Sequence, residues 1–141
     1  MATTTATITL ASTDIADSAL SISNTATLYT AGTDTGLTET TGLARVKTSS
    51  GSNTILLDFG LTSGVAADMT ADKSAKVYIK NINDRGDGTK YVTILLTDKE
   101  IGRLYGGDWM FVPYSGGSGE DIEFTASDTT ETTLEYALFY Q

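Results

Sequence analysis

The chain has 141 residues with no cysteine, no histidine, one proline and one tryptophan, and its eighteen acidic and nine basic residues give a formal net charge of −9. That length suits one domain, or two very small ones. The missing His and Cys exclude Ser-His-Asp and Cys-His nucleophiles, zinc held by nitrogen and sulfur, and any disulfide framework. So acidic a chain is also a poor surface for DNA or anionic lipid, whose phosphates need clustered Lys and Arg, so neither nucleic acid nor membrane is expected as a partner.

The chemistry that survives is carboxylate-pair hydrolysis, oxygen-ligated calcium, or none. Light side chains and the absence of general bases point to the last, so the expectation is a protein that is not an enzyme and carries no cofactor.

From the N-terminus, Ala6, Ile8 and Leu10 alternate with Thr5, Thr7 and Thr9, the period of a half-buried strand, where a signal peptide needs an unbroken apolar stretch. No apolar run approaches the roughly 20 residues of a membrane helix. A soluble chain made in a cytoplasm is expected. Residues 1–54 hold 16 of the 26 threonines, and residues 55–141 hold ten of the eleven Phe and Tyr residues, so the core is weighted toward the C-terminal part. Leu20 and Ile22 repeat the alternation. The stretches 14–20 and 65–73 could each form a turn or two of helix.

Further strands are expected at residues 43–48, 53–59, 75–82, 91–96, 101–104, 109–113, 121–125 and 133–140, each β-rich and bounded by turn residues. The polar loop 83–89, with two glycines, should join the strands on either side of it as a hairpin. Residues 1–141 are therefore read as one all-β domain, an antiparallel β-sandwich of jelly-roll-like type with about nine or ten short strands. Residues 1–20 form its first strand or an extended N-terminal arm.

Five candidate sites stand out. Arg85-Gly86-Asp87 spells an integrin-binding tripeptide, although Arg-Gly and Asp-Gly steps are ordinary turn chemistry. Asn81, Asn83, Asp84 and Asp87 offer oxygen ligands without the spacing of a calcium loop, and Glu120, Asp121 and Glu123 read as a solvated acidic rim. Tyr105, Trp109 and Tyr114 are ligand-facing aromatics if they form a sugar platform. The competing reading puts Trp109, Phe111 and Pro113, which share one strand face, in a core or interface. Finally, Leu134, Tyr136, Leu138 and Tyr140 alternate with Glu135, Ala137 and Phe139. A strand apolar on both faces is either central in a sandwich or buried between subunits.

Read in order, Lys76-Val77-Tyr78-Ile79-Lys80-Asn81, Tyr91-Val92-Thr93-Ile94, the segment from Ile101 through Tyr105-Gly106-Gly107-Asp108 to Pro113, and Leu134-Glu135-Tyr136-Ala137-Leu138-Phe139-Tyr140 resemble a motif series of small virion structural proteins of tailed bacteriophages, notably marine and cyanobacterial ones. The resemblance covers about residues 75–140 and departs at Gly106, where the pattern has proline. It implies a head decoration or cement protein, or an accessory tail protein, located in the virion and bound to other phage structural proteins, above all the major capsid protein. A homotrimer with contacts through Leu134, Tyr136, Leu138, Phe139 and Tyr140 is expected. The alternative is a carbohydrate-binding β-sandwich module or accessory receptor-binding tail protein using Tyr105, Trp109 and Tyr114.

Overall fold

The structure, a computed structural model, describes residues 3–13, 20–30, 39–48, 53–57, 74–86, 90–115, 121–129 and 131–140. Among these residues it is all-β, with eleven strands, no helix, and every strand pairing antiparallel. Of the two stretches with helical potential, 14–20 and 65–73, only Leu20 is among the described residues, where it begins a strand. The chain divides into two compact units, Met1–Thr38 and Glu39–Gln141.

The first unit contains a long two-stranded hairpin, β1 (Thr3–Ser12) with β2 (Leu20–Thr30), paired from Thr3↔Thr30 to Ser12↔Leu20 with a bulge between Thr4 and Thr5. Its register keeps the sequence alternation intact. Ala6, Ile8 and Leu10 lie opposite Ala26, Asn24 and Ile22, while Thr7 and Thr9 lie opposite Thr25 and Ser23. On that polar face Thr7 Oγ1 and Thr25 Oγ1 are hydrogen-bonded at 2.9 Å, and Thr9 Oγ1 and Ser23 Oγ at 3.4 Å.

The second unit is a two-sheet sandwich. One sheet has the order β3 (Glu39–Thr40), β11 (Thr132–Tyr140), β6 (Ser74–Asn81), β9 (Trp109–Ser115), and β4 (Ala44–Thr48) also pairs with β11. The other has the order β5 (Thr54–Leu57), β10 (Ile122–Ala126), β7 (Tyr91–Leu96), β8 (Lys99–Tyr105). Alternation sends one side chain in two inward, and the two inner faces share a single core: Val77, Ile79, Tyr114, Leu134, Tyr136 and Leu138 from the first sheet meet Leu56, Val92, Ile94, Leu104, Ile122 and Phe124 from the second. Burying each large side chain contributes about 1.5–3 kcal/mol.

Counted one to eight from β4, the sheets run 1-8-3-6 and 2-7-4-5, so most connections cross from one sheet to the other. That corrects the hairpin expected around loop 83–89: β6 pairs with β11 and β9, whereas β7 pairs with β10 and β8. The loop is long enough to span the sandwich, and both strands place alternate residues in the core, so nothing in their own pattern requires them to pair. The hairpin that does form joins β7 to β8 through Thr97 and Asp98, with Leu96↔Lys99 as its last pair and φ of 47° and 62° at the two turn residues. Positive φ at both positions matches the right-handed twist of the strands.

Candidate interaction surface

The C-terminal strand resolves the choice its pattern posed. β11 is central, bonded to β6 along Leu134↔Asn81 to Tyr140↔Ala75 on one side and to β4 and β3 on the other. Leu134, Tyr136 and Leu138 are buried in the core of their own subunit, and half-buried Tyr140 packs against it. The second sheet explains the apolarity of Leu134, Tyr136 and Leu138, which are core residues of their own subunit and leave no side-chain surface for a subunit contact. Phe139 points the other way and is half-buried.

Phe139 belongs to the outer face of the five-stranded sheet, where register aligns three rows. Arg45, Glu135, Lys80 and Trp109 form one, Ala137, Tyr78 and Phe111 the next, and Thr40, Phe139, Lys76 and Pro113 the third. Trp109 keeps 52% of its surface exposed. Arg45 donates to Glu135 Oε2 from both Nε and Nη2, at 3.2 and 3.1 Å. Lys47, on the same face of β4, pairs with Glu131. Burial, with a smaller contribution from the Glu135 charge, raises the pKa of the Tyr78 phenol above its usual value. The surface is therefore aromatic and cationic: it presents Arg45, Lys47, Lys76 and Lys80, four of the nine basic residues of a chain whose net charge is −9. Pro113 sits in the edge strand β9, where a missing N–H interrupts the open edge and opposes strand addition by a neighbour.

The sugar-platform residues do not converge. Tyr114 is a core residue at 7% exposure, on the opposite face of β9 from Trp109. Tyr105 lies on the outer face of the other sheet, its ring centroid 5.5 Å from that of Tyr91, and the Arg103 guanidinium stands 4.7 Å over the Tyr91 ring. Sequence separation is small among the three aromatics, but the turn after Tyr105 carries the chain from one sheet to the other. The core reading of Trp109, Phe111 and Pro113 fails for the same reason, because Met110, Val112 and Tyr114 take the inward positions.

Near the start of β9, the Asn81 region is a structural knot. Buried Asn81 donates from Nδ2 to the Leu104 carbonyl at 2.9 Å and accepts at Oδ1 from the backbone N–H of Asn83 at 3.1 Å and from its Nδ2. Asn83 also bonds the backbone of Thr133 in both directions, and Gly107 N–H donates to the Asn81 carbonyl at 2.8 Å. These oxygens, candidates for calcium, thus hold β6, β11 and the β8–β9 turn together. Arg85 pairs with Asp108 at 3.1 Å, which ties the arginine of the tripeptide to the same turn; Asp87 lies outside the described residues. A cavity of about 100 Å³ beside the knot, lined by Asn83, Asp84, Lys90, Tyr91, Gly106 and Glu131 among others, is well below the size of a small-molecule pocket. In the acidic rim, Glu123 accepts from Asn53 Nδ2 at 3.2 Å, and Glu120 lies outside the described residues.

No protein-family model matches the chain, and no curated protein matches it.

Proposed function

We propose that the protein is a non-enzymatic virion structural protein of a tailed bacteriophage, a capsid decoration or cement protein that binds the particle surface through one face and its own copies, as a homotrimer, through another. The observation that carries this reading is the aromatic, cationic outer face of the five-stranded sheet, with Tyr78, Trp109, Phe111, Phe139, Lys76 and Lys80 grouped on an acidic subunit. Interfaces are enriched in aromatic residues at their centres, and a basic patch on an acidic protein directs an acidic partner to one face. Support comes also from the motif series over residues 75–140, whose segments form β6, β7, β8 with β9, and β11. The crossing strand orders 1-8-3-6 and 2-7-4-5 support reading the sandwich as jelly-roll-like, an architecture common in viral capsid domains.

The docking partner is the major capsid protein. The test mixes purified protein with capsids assembled from that shell protein alone and follows co-sedimentation. Saturable binding at the stoichiometry of a repeated shell site, lost in Trp109→Ser/Phe111→Ser, is the expected result. Failure to bind intact capsids at micromolar concentration rejects the reading. The separation of Tyr105, Trp109 and Tyr114 removes the three-residue platform on which the carbohydrate-binding alternative was argued.

A further inference from the structure

The β1–β2 hairpin presents an apolar face that its own two strands cannot cover. Leu10 and Ile22, paired across the hairpin, expose 52% and 42% of their surface, and Ile8 exposes 36%. Two strands by themselves bury too little to be stable in water; such a hairpin needs further strands or a packing partner on its apolar face. Its edges carry the same message. Strands of ten and eleven residues pair only with each other among the described residues, so each leaves one long edge of backbone N–H and C=O groups. Proteins usually blunt such edges with Lys, Pro or inward charges. Residues 3–13 and 20–30 contain none of these: the sequence there has no Asp, Glu, Lys, Arg or Pro.

Charge also selects the partner. A chain at −9 repels its own copies over most of its surface, but residues 3–13 and 20–30 carry no charge, the nearest being Asp14 and Asp17 in the segment between them, so the two strand faces of one copy can meet those of another with little electrostatic cost. A partner recognised by charge would find nothing to read, and small apolar side chains such as Ala6 and Ala26 allow identical faces to approach closely. We propose that the β1–β2 hairpin is the self-association element of this protein, its Ala6–Ile8–Leu10–Ile22–Ala26 face and its open edges covered by the same hairpin from other copies of the chain. The inference rests on the homo-oligomer part of the functional reading and is independent of the virion part.

Sedimentation velocity of the full-length chain over a micromolar concentration series tests it, with Leu10→Glu/Ile22→Glu against Trp109→Ser/Phe111→Ser. The wild type and the second variant are expected to form the same oligomer, and the hairpin variant to lose at least tenfold in self-association. An oligomer that survives Leu10→Glu/Ile22→Glu overturns the hairpin inference and leaves homo-oligomerisation standing; a monomeric wild type overturns both. Because the glutamates could disturb folding, a second measurement uses the absence of native cysteine. Leu10→Cys, oxidised in the otherwise wild-type chain, is expected to cross-link subunits, and Thr9→Cys, on the opposite face, to do so at least tenfold less. Equal cross-linking from the two positions, or none from Leu10→Cys, overturns the assignment of the face.

Discussion

Gly106 lies against the backbone of Asp84 so closely that a Cβ on it would stand 2.6 Å from the Asp84 carbonyl oxygen and 2.8 Å from the Arg85 nitrogen. Backbone held by the Asn81 knot cannot swing away as a flexible side chain would. Gly106→Ala is therefore expected to destabilise the protein by about 1–3 kcal/mol, the cost of overpacking. Gly102→Ala, where nothing lies within 4 Å, should change stability by less than about 0.5 kcal/mol. Urea melts of the two variants make the comparison, and equal midpoints would contradict the packing argument.

The knot itself is the next target. Asn81→Leu keeps the volume but removes both the donor to Leu104 and the acceptor for Asn83. Each buried group left without a partner costs about 1–3 kcal/mol, so a loss of several kcal/mol in the urea midpoint free energy is expected. A variant as stable as wild type would mean that water replaces the amide at no cost.

Thr97 and Asp98 occupy a two-residue turn with positive φ at both positions, a conformation that Asn and Gly adopt far more readily than a β-branched residue. Thr97→Asn/Asp98→Gly should stabilise the protein by about 1 kcal/mol through relief of backbone strain. A raised melting temperature without a change in denaturant slope is the expected signature.

Stability should fall in alkali. Burial raises the phenol of Tyr136, and burial together with Glu135 raises that of Tyr78, from an ordinary value of 10.0. The folded state thus holds these protons longer than the unfolded state, so their contribution is complete below pH 10 and is lost as pH rises through the folded values. Tyr78→Phe and Tyr136→Phe are each expected to flatten the alkaline limb of a melting temperature against pH curve. A limb unchanged in both would assign the loss to other groups.

Two aromatics separated by five residues should behave oppositely. Tyr114→Ala removes a core ring and is expected to cost about 3–5 kcal/mol, whereas Trp109→Ala, on the open face, should stay within about 0.5 kcal/mol. Circular dichroism melts distinguish them.

Alternation made most of the fold legible. Period two over residues 77–81 puts Val77, Ile79 and Asn81 on one face of β6 and Tyr78 and Lys80 on the other, and in the structure the first three are buried and the other two half-buried. It does not encode which strands pair, because an inward residue fits the core from either sheet; hence the mistaken hairpin across loop 83–89. The β7–β8 turn is not legible in the sequence, because Thr97-Asp98 lacks the Asn-Gly signature that its backbone would favour. β11 was open to two readings for a related reason: a central strand and an interface strand have the same apolar pattern, and only the neighbours β6, β4 and β3 separate them. The face carried by Tyr78, Phe111 and Phe139 needed register as well, since those residues come from three strands spread over more than sixty positions.

The proposed virion role is tested most directly by quantitative mass spectrometry of tailed-phage particles purified from the source of this chain, with its copies counted against the major capsid protein. The expected result is the chain in mature particles at a fixed ratio to the shell protein, retained through density-gradient purification. Its absence from intact particles, with the protein present only in the soluble lysate, would contradict it.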